Sequence, residues 1–280
     1  MSRSEPYFEP YAPYTSGPHG LLPGRLRVLQ AESQRLLSQR WNAFYQAHET
    51  HFFKDRHWLE AEWVELCQAP GGTVLDVGCG VGNALFPLLQ VNPRLRFEAF
   101  DIAPHAVQLV RENAAFDAAR VNAFVCDVSR QAIPVADASA DFAIVIFVLS
   151  AMTPEQFPRI VRELARCLKP GGLLLIRDYA VGDVAQARFE DKADANKLGD
   201  KLYIRRSDGT TSYFFDCDTV RGLFADEQLG LSVEVCEVVE RHVENRKLEQ
   251  TMRRLFLQAA VRKRRQLFDS AAPNGPRSGV

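Results

Sequence analysis

Between residues 72 and 180 the chain alternates short apolar runs with stretches whose apolar residues recur every three or four positions. The runs are TVLDVGCG, RLRFEAFDI, VNAFVCDV, DFAIVIFVLS and GLLLIRDYA; the helical stretches lie at about 82–91, 104–118 and 154–169. Strands with no polar alternate are buried on both faces, so the pattern predicts an α/β fold built on a parallel sheet with helices on either side. Further on, SYFF, SVEVCEVVERHVEN and RRLFLQAAVRK have β-type texture, with a helix predicted near 218–228. The last two runs flank the polar segment NRKLEQTM, which predicts an antiparallel hairpin closing one edge of the sheet.

Upstream, the spacing of Leu26, Leu29, Leu36, Leu37, Trp41, Phe44 and Tyr45 is helical, breaks near His51 and resumes after Asp55. This predicts an N-terminal helical cap over residues 25–70, ahead of a core at 71–265. Residues 1–24 are rich in Pro, Gly, Tyr and Ser without periodicity and read as a flexible tail, as do 266–280.

Composition narrows the partners. The formal charge is -1, so no global positive field attracts a polyanion, and any nucleic-acid contact must rest on a local basic patch or a second protein. The six cysteines form no Cys-x-x-Cys pair and the histidines no His-Glu-x-x-His, so neither a metal site nor a disulfide framework is expected. No apolar run has transmembrane length, and the N-terminus carries Glu5 and Glu9 with no apolar core of a signal peptide. The expected address is the cytoplasm or the nucleus, with no membrane contact.

DVGCGVGN, residues 76–83, sits where a predicted strand runs into a predicted helix. Gly78, Gly80 and Gly82 let the backbone turn tightly and admit a ligand without Cβ clashes. A dinucleotide fingerprint would need Gly or Ala where Asn83 stands, which disfavours a nicotinamide cofactor. Asp101 ends the next strand, about 20 residues beyond the turn, where a carboxylate can accept from both hydroxyls of a ribose. After the third strand, Asp127 is placed to accept from an adenine amino group while Val128 packs on the ring, and Ile146 at the end of the fourth could line the same pocket. Two acids at successive strand ends behind a GxGxG turn point to S-adenosylmethionine.

Several segments go beyond that generic pattern: WNAFYQAHETHFFKDRHWL at 41–59, DVGCGVGNALFPLL at 76–89, IFVLSAMTPEQF with LKPGGLLLIRDYA, KLYIRRSDGTTSYFF at 201–215 and VENRKLEQTMRRLFLQAAVRK at 243–263. Together they resemble the methyltransferase-like family that makes 3-methylcytidine in tRNA anticodon loops, over residues 36–263. The resemblance implies a Rossmann-like class I fold, S-adenosylmethionine as methyl donor and tRNA as substrate. It also implies that Trp41 and Tyr45, which share a helix face, contact the cofactor together with Gly78, Asp101, Asp127, Val128 and Ile146. Branches of the family act with an aminoacyl-tRNA synthetase or another adaptor, and the slight acidity of this chain makes such a partner an expectation here. The tail at 1–24 matches nothing in the resemblance.

Cytosine N3 has its own lone pair, so methyl transfer there asks for positioning and exclusion of water rather than for a general base. The product base is cationic, and a nearby carboxylate would favour the transition state over the ground state. Asp178, at the end of the fifth strand, is the expected catalytic carboxylate, with Arg177 beside it for a phosphate or to orient it; a structural ion pair is the alternative for both. Lys54, Arg56, Arg253 and Arg254 are the expected RNA contacts, with Arg262, Lys263, Arg264 and Arg265 in the same C-terminal cluster. Two rival functions stay open: methylation of a protein or small molecule, and a catalytically silent tRNA-binding subunit.

Overall fold

The computed structural model describes residues 36–190, 197–205, 208–245 and 250–265. Both tails, the start of the predicted cap and the tip of the C-terminal hairpin lie outside the described residues. The cap comprises α1 (Leu37–His48) and two short helices, α2 (Leu59–Glu62) and α3 (Val64–Cys67). The core then runs β1 (Gly72–Val77), α4 (Leu85–Val91), β2 (Leu95–Asp101), α5 (Pro104–Glu112), β3 (Val121–Val125), β4 (Ala140–Ile146), α6 (Phe157–Cys167) and β5 (Leu168–Tyr179). It continues through α7 (Val184–Glu190), β6 (Lys197–Gly199), β7 (Leu202–Ile204), β8 (Thr211–Tyr213), α8 (Cys217–Phe224), β9 (Leu231–Asn245) and β10 (Gln250–Lys263).

The main sheet has the order β3-β2-β1-β4-β5-β10-β9. The first five strands are parallel, and β10 is antiparallel to both of its neighbours. This is the Rossmann-like methyltransferase fold with its antiparallel edge hairpin. Strand alternation divides the core in two. Ala143, Val145, Leu174 and Ile176 point to the face covered by α6 and α8, where Phe157, Ile160, Val161, Leu164, Val220 and Phe224 are buried. Phe142, Ile144, Leu173 and Leu175 point to the face covered by α4, α5 and the cap residues Leu59, Trp63 and Leu66.

Helix α6 shows why these residues make a helix at that place. Phe157, Ile160, Val161 and Leu164 fall on one face, and the preceding turn is closed by a capping box between Thr153 and Gln156. Burying each such side chain contributes about 1.5 to 3 kcal/mol. At α8, the Asp216 carboxylate accepts from Thr219 N at 2.8 Å, a side-chain cap on the first turn.

Two features depart from the periodicity. The cap's second helix is broken into two short ones at Trp63, whose backbone leaves helical geometry (φ −114°, ψ 55°) as its side chain enters the core. SYFF contributes to β8 of a separate three-stranded antiparallel sheet, β6-β7-β8, whose strands of three residues are too short to leave a repeat in the sequence. That sheet is tied to the core where the Thr211 hydroxyl donates to Ala151 O at 2.7 Å.

Leu164 is fully buried on the α6 face. Leu164→Ala is expected to lower unfolding free energy by about 2 to 5 kcal/mol in chemical denaturation, with the slope of the transition unchanged.

Candidate cofactor and active site

The carboxyl ends of the parallel strands converge on one pocket. Leaving β1, the chain turns through Gly78 (φ 65°) and Gly80 (φ 55°), conformations that side-chain-bearing residues rarely adopt. A Cβ on Gly78 would lie 2.4 Å from Val148 Cγ2, and one on Gly80 would lie 2.8 Å from the Tyr45 hydroxyl. The turn therefore needs glycine for space as well as for backbone freedom.

Asp101, at the end of β2, accepts from Gly80 N and from Ala103 N, both at 2.9 Å. One lone pair on each oxygen is left for a ligand donor. Asp76, at the end of β1, is buried, and its Oδ2 has no hydrogen-bond partner among the described residues. Burial pushes the Asp101 carboxyl up to about 6, against the opposing pull of its backbone N–H donors. Burial, reinforced by the nearby Asp101 charge, pushes Asp76 up to about 7. At the end of β3, Asp127 accepts from Ser129 N at 3.0 Å and from the Ser129 hydroxyl at 2.5 Å, and Val128 is buried beside it.

The remaining wall is the face of α1 that carries Leu37, Trp41 and Tyr45. This helix is pinned over the pocket by Ser38 Oγ donating to Ile102 O at 3.0 Å and by His105 N donating to Asn42 Oδ1 at 2.8 Å. Burial, with Asp101 adjacent, holds the Tyr45 hydroxyl well above its ordinary pKa and keeps it a neutral donor.

Trp41, Tyr45, Gly78, Asp101, Asp127 and Val128 thus line one pocket. Ile146 does not join them: alternation along β4 turns it, like Phe142 and Ile144, toward the opposite core face. Phe147 and Val148 line the pocket instead. Phe147 has φ 57°, an outlier for a bulky residue, and its N–H donates to Arg177 O at 2.8 Å. Its ring lies 5.1 Å from Tyr179 and 5.4 Å from Phe256, centroid to centroid, so three aromatic residues gather beside the pocket. Sequence reasoning missed all three; the available signal was that a strand's inward parity changes at its end.

The basic residues expected to contact RNA have different surroundings. Arg177 is buried on the cap side, paired with Glu62 at 2.6 Å rather than with Asp178, and so is not placed for a phosphate. Arg254 is committed to buried Asp183 at 2.9 Å, and Arg253, on the opposite face of β10, pairs with Glu240 at 2.8 Å. Lys54 is exposed in the loop that follows α1. Arg56 stands beside the pocket residue Phe147: its N–H donates to Asn83 O at 2.8 Å, and its guanidinium carbon lies 5.2 Å from the Phe147 ring centroid. No carboxylate among the described residues lies within ion-pair distance of it. Asn83 also donates to Phe53 O at 3.2 Å and to Asp55 Oδ1 at 3.1 Å, so the residue that breaks the dinucleotide fingerprint fastens the FFKDR segment to the turn.

Asp178 differs from its expected role. It shares strand parity with Leu174 and Ile176, which turns it under the 149–151 turn, where it is fully buried. Its oxygens accept from Ser150 N at 2.9 Å and Tyr179 N at 2.8 Å, and it contributes nothing to the pocket wall. It is a positioning residue for that turn. Asp178→Asn turns one acceptor into a donor facing an N–H, so a loss of about 1 to 3 kcal/mol is expected on denaturation. Burial raises the Asp178 carboxyl to about 6, above its unfolded value, so its contribution is fullest in acid. The stability gap between wild type and Asp178→Asn is expected to narrow from about pH 4 to about pH 6 and to hold steady above.

The donor set fits S-adenosylmethionine: a turn with no room for a Cβ, acceptors on Asp101 for ribose hydroxyls, and an apolar slot at Val128 with Asp127 beside it. Residues 74–172 match the family model described as Methyltransferase domain. The chain is 37% identical over 228 residues to a tRNA N(3)-methylcytidine methyltransferase of Schizosaccharomyces pombe, covering 80% of this chain and 91% of that protein. It is 39% identical over 238 residues to the human tRNA N(3)-cytidine methyltransferase METTL6, covering 82% of this chain and 80% of that one. Among solved structures, the 1,6-didemethyltoxoflavin-N1-methyltransferase of Burkholderia thailandensis, with bound S-adenosylhomocysteine, shares the fold at a TM-score of 0.56 and 16% identity, over 92% of this chain and 98% of that one. With more than a third of the aligned residues identical across most of both chains, this protein belongs to the family of the S-adenosylmethionine-dependent tRNA N(3)-cytidine methyltransferases.

Proposed function

We propose that this chain transfers a methyl group from S-adenosylmethionine to N3 of an unpaired cytidine in a tRNA anticodon loop. The observation that carries the reading is Arg56, a partly buried guanidinium with no carboxylate within ion-pair distance among the described residues, set over the pocket residue Phe147. Such a cation among aromatic rings suits an unpaired nucleotide, with phosphate on the guanidinium and base on ring or guanidinium planes.

Bound S-adenosylmethionine supplies an electrophilic methyl on a sulfonium. Cytosine N3 brings the electron pair, so the work of the chain is to hold the base out of pairing, to aim N3 at the methyl group and to keep water away. Phe147, Tyr179 and Phe256 supply the aromatic surface for the base. With Arg177 and Arg254 held in buried ion pairs, intrinsic tRNA affinity is modest. An adaptor such as an aminoacyl-tRNA synthetase belongs to the same reading.

The deciding experiment is nucleoside mass spectrometry after incubation with unmodified tRNA and S-adenosylmethionine. Appearance of 3-methylcytidine is expected; methyl incorporation only into protein or small molecules would defeat the proposal. Arg56→Met keeps the apolar stem and removes the charge, so methylation at subsaturating tRNA should fall about 10- to 100-fold while cofactor affinity holds within about threefold.

Cofactor binding should depend on pH. Asp101 accepts ligand donors as a carboxylate, and burial raises it to about 6, so affinity is expected to climb from about pH 5 to about pH 7. Each pH unit below a group's pKa costs about tenfold while that group is protonated. Calorimetry in buffers of different ionisation enthalpy should show proton release on binding near pH 6.5 in wild type, reduced in Asp101→Asn.

A further inference from the structure

The segment carrying Arg56 is fastened at two places. Upstream of Trp58 the fastening is Asn83, already described; downstream it is a buried ion pair. Glu62, on α2, accepts from Arg177 Nη1 at 2.6 Å and from Arg241 Nη2 at 2.5 Å. The Arg177 guanidinium also lies 4.1 Å from the Trp58 ring centroid, with only 4% of its side chain exposed. The carbonyl of the same residue accepts the N–H of Phe147 at 2.8 Å. One arginine therefore grips the cap with its side chain and the strained pocket wall with its backbone.

Energy alone gives little reason for this arrangement. A buried ion pair costs desolvation on both partners, and apolar side chains of similar volume commonly do as well. What an ion pair adds is geometry, because the planar guanidinium fork meets a carboxylate in a restricted set of orientations and stacks flat on an aromatic ring.

We infer that Glu62 and Arg177 are positioning residues for methyl transfer, holding the 52–58 segment where Arg56 faces Phe147 while touching neither cofactor nor substrate. The inference rests on the proposed tRNA reaction for its catalytic consequence. An error of about 1 Å in such placement typically costs about 100-fold in rate.

The test compares Glu62→Gln, Arg177→Lys and, as a control on the outer arm, Arg241→Gln. Hydrogen exchange read by mass spectrometry should quicken about tenfold or more across 52–58 in the first two variants, with 72–77 unchanged, since the local fastening is lost and the sheet is not. Calorimetric S-adenosylmethionine affinity should stay within about threefold, and the single-turnover rate at saturating tRNA and cofactor should fall about 10- to 100-fold. Arg241→Gln should leave both exchange and rate within about twofold, because its bond lies at the exposed rim. A merely structural pair would lower the melting temperature yet leave the saturating rate of the folded protein unmoved, and that result overturns the inference. Unchanged exchange across 52–58 in both inner variants overturns it as well. If Glu62→Gln does not fold, Arg177→Lys, which keeps the charge, carries both readouts. A wild-type protein that makes no 3-methylcytidine defeats the proposed function, and the exchange measurement still decides whether the pair holds the segment.

Discussion

The contact on which the site depends is the one between Gly80 N and the Asp101 carboxylate, at 2.9 Å. It closes the glycine turn of β1 against the end of β2, and the second oxygen of Asp101 reaches Ala103 N to set the entry into α5. Tyr45 comes down on Gly80 from above, so the cap rests on the same turn. A carboxylate buried in this way is costly unless N–H donors face it. Those donors keep Asp101 near 6 rather than higher.

The core was legible because the central parallel strands β1, β4 and β5, buried on both faces, write themselves as apolar runs, while β2 and β3 toward the edge begin with a polar alternation. Each of the five runs from TVLDVGCG to GLLLIRDYA became a strand, and Gly78, Asp101 and Asp127 fell where strand ends meet a pocket. Where the reading failed, the cause was one of parity or partnership. Ile146 and Phe147 are adjacent in sequence, and only the direction of the last β4 residue decides which of them faces the ligand. Arg177, Asp178 and Arg254 carry charges that look available on paper, yet their partners Glu62, Ser150 N and Asp183 come from distant parts of the chain. No local spacing encodes such meetings. The small sheet of β6, β7 and β8 was lost for a different reason, since three residues do not establish a period.

The cap and the core hold each other through contrasting chemistry. On one side, α1 seals the pocket with aromatic rings and two hydrogen bonds to the loop after β2. On the other, Trp58, Trp63 and Leu59 bury against the sheet while Glu62 and Glu65 bind Arg177, Arg241 and Arg262. The acids of the cap thereby neutralise three arginines from later in the chain. Arg56, with no carboxylate within ion-pair distance among the described residues, stays beside the pocket residue Phe147.

Strand β10 follows every other described strand in the chain and yet lies inside the sheet, between β5 and β9. On a ribosome, β9 emerges with no hydrogen-bonding neighbour in that sheet, and β5 has one open edge, until β10 arrives to join them. Phe256, whose ring meets that of Phe147, belongs to this last strand. A nascent chain therefore owns the glycine turn and its acids well before it owns the strand that closes the sheet.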